Sequence, residues 1–295
     1  MLLSSVSFAI VNFGVKLLGG KSTLFEELQH FPAHELVFFR CVISIIISVY
    51  VIRKKKLPLF GNNKKWLLAR GIFGVTALTL FFYTIYNLPL AIATTVQYLS
   101  PIFTVIIAIF LLKEKVKPIQ WLFFALAFIG VIVIALSKLS AVGDSSISLK
   151  WIFIGILSAI ISGFAYNSIM KCRETDAPVN IVIYFPLVGA PIMGIWCFFD
   201  FTMPQGVEWL IILGIGVFTQ IAQVCMTRAF ASENASKIMP LKYLGAIYAV
   251  LIGLFLFNET LSFWVSIGIV FVLSGVVLNG VWKYRTNKAL SSSIR

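Results

Sequence analysis

Charge is scarce in this chain. Of 295 residues, 24 are Lys or Arg and 11 are Asp or Glu, 12% together, where soluble domains carry about 25%. So few charges cannot cover the surface of a soluble protein of this size, which excludes an ordinary water-soluble enzyme. Histidine is limited to two residues. There is no HExxH, no GxSxG nucleophile elbow and no P-loop, so zinc proteolysis, serine hydrolysis of that type and ATP hydrolysis have no carrier. The four cysteines, Cys41, Cys172, Cys197 and Cys225, are scattered. No pair has metal-ligand spacing and no disulfide framework is expected. No cofactor is expected either. Low-complexity stretches and long linkers are missing as well, which leaves no room for a separate soluble domain.

What fills the chain is apolar sequence, at 60% hydrophobic residues. A membrane-spanning helix needs about 20 apolar residues. Ten such runs are legible: Leu2–Gly19, His34–Ile52, Trp66–Asn87, Leu90–Leu112, Pro118–Ser137, Trp151–Met170, Val179–Phe199, Trp209–Phe230, Ile238–Phe257 and Leu261–Trp282. The fold class expected is therefore an all-α integral membrane protein with ten transmembrane helices. The first run lacks a basic n-region and a small-residue cleavage site, so it reads as a retained helix. Asn87-Leu88-Pro89 reads as a tight turn, because the residue before a proline is steered out of the helical region.

The net charge of +13 does not point to nucleic acid, because the basic clusters lie between the apolar runs. With the N-terminus placed inside, 17 Lys and Arg fall in inside segments and three (Lys21, Lys138, Lys150) outside. That asymmetry follows the positive-inside rule. It places both termini in the cytoplasm of a multi-pass protein, in a bacterial inner membrane, with the Asp144–Ser148 loop outside.

The two halves resemble each other. Phe82–Tyr98 parallels Thr227–Tyr243, and continuing without a gap aligns Glu114 with Glu259 and Gly130 with Gly275. Asn12-x-x-x-Lys16 parallels Asn167-x-x-x-Lys171, and Pro32-Ala33 parallels Pro178-Val179. Five spans per half is an odd number, so the halves would cross in opposite senses, as two inverted-topology repeats. The expected division is 1–140, 147–285 and a cytoplasmic tail at 286–295.

Three segments carry a family resemblance: HELVFFRCVISIII at 34–47, the run from Arg70 to Val116, and KYLGAIYAVLIGLFLFNE at 242–259. Through them the chain resembles the drug/metabolite transporter superfamily, in its ten-helix EamA-like branch. The resemblance implies a central cavity lined by spans 1–4 and 6–9, with the fifth span of each half at the periphery. It implies a small-molecule substrate such as an amino acid, a nucleotide-related metabolite, a drug or S-adenosylmethionine. The FFR and KYL segments look closest to carriers of the last.

Polar side chains at membrane depth are costly and face a cavity or a partner. Asn12 and Lys16 share a face of span 1, as Asn167 and Lys171 do in span 6. The lysines read equally as snorkelling, and the asparagines as helix–helix bonds. Arg40 cannot shed its charge and needs an anion, water or carbonyls. Glu35 is the sole acidic residue inside a span. Thr76, Thr79, Tyr83 and Tyr86 form a stripe on span 3. Thr94, Tyr98 and Pro101 share a face of span 4, where Pro101 should kink the helix. Gln220, Gln223 and Thr227 make a stripe on span 8 for which a cavity is the favoured reading. Lys242 and Tyr243 open span 9, matching Gln97-Tyr98. His30 and His34 read as part of a hydrated loop, not a metal site. Gly268, Gly275 and Gly280 allow close helix approach within the chain or with a second copy, a homodimer.

A secondary transporter of a small polar or amphipathic metabolite, carboxylate-bearing or zwitterionic, fits these features. A membrane-embedded enzyme lacks a nucleophile–base pair or metal cluster. A scaffold or receptor would not need the mid-membrane Gln and Tyr stripes.

Overall fold

The computed structural model describes residues 1–19, 28–111, 117–139, 149–173, 175–232, 244–257 and 261–292. Among these the chain is all helix, with no strand. The helices are α1 (Leu2–Gly19), α2 (Ala33–Lys54), α3 (Lys64–Asn87), α4 (Leu90–Gln97), α5 (Ser100–Leu111), α6 (Pro118–Leu139), α7 (Leu149–Cys172), α8 (Pro178–Cys197), α9 (Glu208–Ser232), α10 (Leu244–Leu256) and α11 (Phe263–Ser292). Prolines set several starts. Pro32 and Pro89 stand just before α2 and α4, and Pro118 and Pro178 open α6 and α8. A proline there gives up an N–H that would have no helical partner anyway.

Among the described residues, eight stretches are long and apolar enough to cross a membrane, with Leu90–Leu111 counted as one, and Pro118–Ile134 is a shorter apolar helix. The expected ninth run is described only from Leu244 onward. The fourth expected run is broken. α4 ends at Gln97 and α5 starts at Ser100, with Tyr98 and Leu99 in a tight turn. Pro101 lacks the N–H that would bond the Gln97 carbonyl, which is why the helix cannot continue unbroken.

The outer surface is apolar. Phe110, Phe153, Phe198, Phe199 and Phe263 are largely exposed, an arrangement that suits lipid and would aggregate in water. The tryptophans ring the ends of the apolar stretches. Trp66, Trp121, Trp151, Trp209 and Trp264 sit in first turns, Trp196 in a last turn, and Trp282 at the end of the last apolar run. That is where interfacial aromatic belts lie. The chain is an integral, multi-pass membrane protein.

The helices pair across the two halves. α3 packs on α7 and α1 on α9; α2 packs on α8, α6 on α11, and α4 on α10. The α6–α11 pair is joined by glycines. A Cβ on Gly130 would lie 2.6 Å from the Gly268 carbonyl oxygen, and one on Gly275 would lie 2.5 Å from that of Phe123. Gln120 Nε2 donates to Asn279 Oδ1 at 3.0 Å in the same seam. The glycines Gly268 and Gly275 are thus already occupied within the chain. All four cysteines are free thiols.

Candidate functional site

A cavity lies inside the bundle. Its lining reaches from Met1, Ser4, Phe8 and Met226, at the end where α1 begins, to Phe82 and Thr94 near the other end. Its described walls come from α1–α5 and α7–α10, and no residue of α6 or α11 lines it. This is the lining that the family resemblance implies. The walls are mostly aromatic and aliphatic, with polar groups from Ser4, Ser5, Asn12, Arg40, Arg70, Thr94, Gln97, Ser100, Ser162 and Gln223.

Two arginines dominate its chemistry. Arg40 of α2 and Arg70 of α3 are 2% and 4% exposed. The Arg40 guanidinium carbon lies 5.0 Å from the centre of the Phe185 ring and 6.0 Å from that of Phe82. The Arg70 guanidinium carbon lies 5.4 Å from the same Phe185 ring. Ring faces offer partial compensation for a buried cation. The Nε of each arginine is buried without an acceptor. Arg70 Nη2 donates one long bond, 3.4 Å, to Gln223 Oε1. Gly74, one turn after Arg70, makes room for it, since a Cβ there would overlap Arg70 Nη1. Neither arginine has an ion pair with a described carboxylate.

Beside them, Gln97 is held by two serines of α7. Its Nε2 donates to Ser162 Oγ at 2.9 Å, and Ser158 Oγ donates to its Oε1 at 3.1 Å. Tyr98 and Tyr166 complete that wall.

The structure gathers Asn12, Arg40, Tyr98 and Gln223 at the cavity and puts other expected residues elsewhere. Lys16 Nζ donates to the carbonyls of Ile85 (3.1 Å) and Leu88 (2.7 Å), capping the end of α3. Asn167 Nδ2 donates to Thr104 O (3.0 Å) and Gly163 O (2.9 Å), tying α7 to α5. Gln220 accepts from Ser44 Oγ and donates to Ser48 Oγ at 2.7 Å, tying α9 to α2. Tyr83 is half-buried and outside the cavity, and Thr76 is exposed. The cavity face of α3 is the neighbouring one, with Arg70, Gly74, Ala77, Phe81 and Phe82. Lys242 and Tyr243 lie outside the described residues, as do Glu114, Glu259 and the Asp144–Ser148 loop.

Both ends of the bundle carry clasps between the halves. At one, the Gln29 N–H donates to Glu208 Oε1 (2.7 Å) and the Thr202 N–H to Glu35 Oε2 (3.0 Å); His34 Nε2 lies 2.9 Å from Asp200 O. His34 is therefore buried, not part of a hydrated loop, and stacks on Trp196. No metal-binding group of His, Cys, Asp and Glu exists among the described residues. At the other end, the N–H groups of Asn62 and Asn63 donate to Asp176 (2.5 and 3.2 Å), and Asn180 Nδ2 donates to Pro58 O (2.6 Å). His34 and Asn180 occupy matching places, each two residues after the matching prolines Pro32 and Pro178.

A multi-pass helical bundle with a polar-studded internal cavity belongs to the class of membrane transporters. The profile of the EamA-like transporter family matches the chain twice, over residues 1–136 and 149–281, and the chain belongs to that family. It is similar to the pseudopaline exporter CntI of Pseudomonas aeruginosa, at 30% identity over 83% of this chain and 82% of that protein. It is similar to human solute carrier family 35 member G1, at 27% identity over 90% of this chain and 77% of that protein. A solved crystal structure shares the fold, with a TM-score of 0.64 and 18% identity over 95% of this chain and 97% of that one. The exporter and the solute carrier are transporters by name, not enzymes.

Proposed function

We propose that this chain is a secondary transporter that moves a small amphipathic metabolite bearing a carboxylate, such as an amino acid or a compound of the S-adenosylmethionine kind. It works by alternating access in a bacterial inner membrane, with both termini cytoplasmic. Two inverted five-helix repeats, residues 1–140 and 147–285, rock against each other around the internal cavity. The doubled family match and the cross-half helix pairing support that division. The observation that carries the reading is the pair of buried, always-charged guanidinium groups on the cavity wall, set among aromatic rings. An apolar pocket with a few convergent polar groups binds an amphipathic ligand, and Arg40 and Arg70 call for an anion on it. Relatives named as an exporter and as a solute carrier support solute movement.

The test is a thermal-shift screen of the purified protein against carboxylate-bearing metabolites, followed by flux into liposomes. A ligand at 100 times its Kd stabilises by about 2.7 kcal/mol, so a true substrate raises the Tm and is also moved. Compounds that bind but are never moved would convert the reading to a receptor.

A further inference from the structure

The cavity's charge is one-sided. Its described lining contains Arg40 and Arg70 and no Asp or Glu. A zwitterion would bring its carboxylate to these arginines but find no described counter-charge for its cation. Donor arithmetic goes further. Each guanidinium has about five N–H donors, and one ionised carboxylate offers about four lone-pair sites. Arg70 spends one donor on Gln223, at 3.4 Å, and Arg40 has no described acceptor. A single carboxylate would leave about half of these donors unmatched.

Their spacing sets the scale. Both guanidinium carbons lie beside the Phe185 ring, and the distances of 5.0 and 5.4 Å to its centre put their separation at no more than about 10 Å. A forked N–H···O contact of about 2.7–2.9 Å is measured from nitrogen, so a carboxyl carbon held in this way stands about 4 Å from the guanidinium carbon. Two acidic groups held at once therefore sit close together, joined by roughly one or two carbon atoms at about 1.5 Å per bond. Phe8, Phe81 and Phe82 line the same cavity.

The geometry points to a substrate with two anionic groups on a short scaffold, one group held by Arg40 and the other by Arg70, beside Phe185. This rests on the internal cavity being the transport site.

The probes are malonate and succinate as dianions, benzoate and butyrate as monoanions, phenylalanine as a zwitterion, and inorganic phosphate. Affinities are read by thermal shift on the full-length protein in detergent at constant ionic strength. The expected result is that at least one dianion binds at least ~10-fold tighter than every monoanion and the zwitterion. Arg40→Gln and Arg70→Gln should each weaken that dianion about 10- to 100-fold while changing benzoate little. Gly74→Ala, whose Cβ would overlap the Arg70 fork and lie 2.7 Å from Phe185 Cδ2, should act in the same direction as Arg70→Gln. If the glutamine variants do not fold, Gly74→Ala and Arg70→Lys carry the comparison. Equal binding of monoanions and dianions overturns the proposal. So does phosphate alone reproducing the full dianion shift, or folded variants with unchanged dianion preference. Liposome flux separates this proposal from the transport reading. Flux of a monoanion or zwitterion without dianion preference sinks the dianion site alone. Dianion binding without flux of any compound sinks the transport reading alone.

Discussion

At the scale of single residues, polarity proved a poor guide to which side chains meet the cavity. The stripe of Thr76, Thr79, Tyr83 and Tyr86 looks like a cavity face, yet the threonine hydroxyls bond their own helix. Thr76 donates to Ile72 O at 3.0 Å and Thr79 to Val75 O at 2.9 Å. A hydroxyl satisfied one turn back needs no cavity. Gln220 likewise finds Ser44 and Ser48, while Gln223, one turn on, faces Arg70. Arg70 was hidden for the opposite reason. It lies in the first turns of the run Trp66–Asn87, five residues after Lys65, and was not singled out; Gly71 and Gly74 beside it were the available signal. Lys16 gives a test at this scale. Its two bonds to the last carbonyls of α3, where a cation also suits the helix dipole, make it a cap. Lys16→Met should destabilise the protein by about 1.5–3 kcal/mol and lower the Tm, while ligand affinity of the folded protein stays unchanged. An unchanged Tm with weakened ligand binding would move Lys16 into the binding site instead.

At the scale of helices, position along the chain was legible and pairing was not. Long apolar runs fix where spans lie because each must bridge about 30 Å of hydrocarbon. The break at Tyr98-Leu99 was foreshadowed by Pro101, although a kink was expected and two helices resulted. Partner choice depends on surface shape, which hydropathy does not encode. The glycines were the exception, since Gly130, Gly268 and Gly275 sit where two backbones nearly touch. Filling that seam should push α6 and α11 apart. Gly275→Leu is expected to cost about 1–3 kcal/mol, as overpacking does, with a lower Tm. Ligand affinity should hold, because neither helix lines the cavity. A normal Tm in that variant would mean the two helices are not packed as described.

At the scale of the whole molecule, the two clasps are the informative feature. Each joins a link of one half to a link of the other at opposite ends of the bundle, and His34 and Asn180 play matching parts. The proposed inverted repeat, hinted at in sequence by Pro32 and Pro178, would account for that match. It also fixes an expected topology. Reporter fusions after Lys65, Ser145 and Lys288 should read cytoplasmic, external and cytoplasmic. A cytoplasmic signal at Ser145 would refute the ten-span arrangement.

The pairing of α6 with α11 has a further consequence for how the protein is made. During synthesis α6 leaves the ribosome more than a hundred residues before its partner. At about 5–20 residues per second, it waits on the order of ten seconds with its glycine face against lipid. α1 waits longer still for α9. The pairs α3–α7, α2–α8 and α1–α9 can form in turn as the second half is inserted, whereas a chain that stalls before α11 leaves α6 with its seam unfilled.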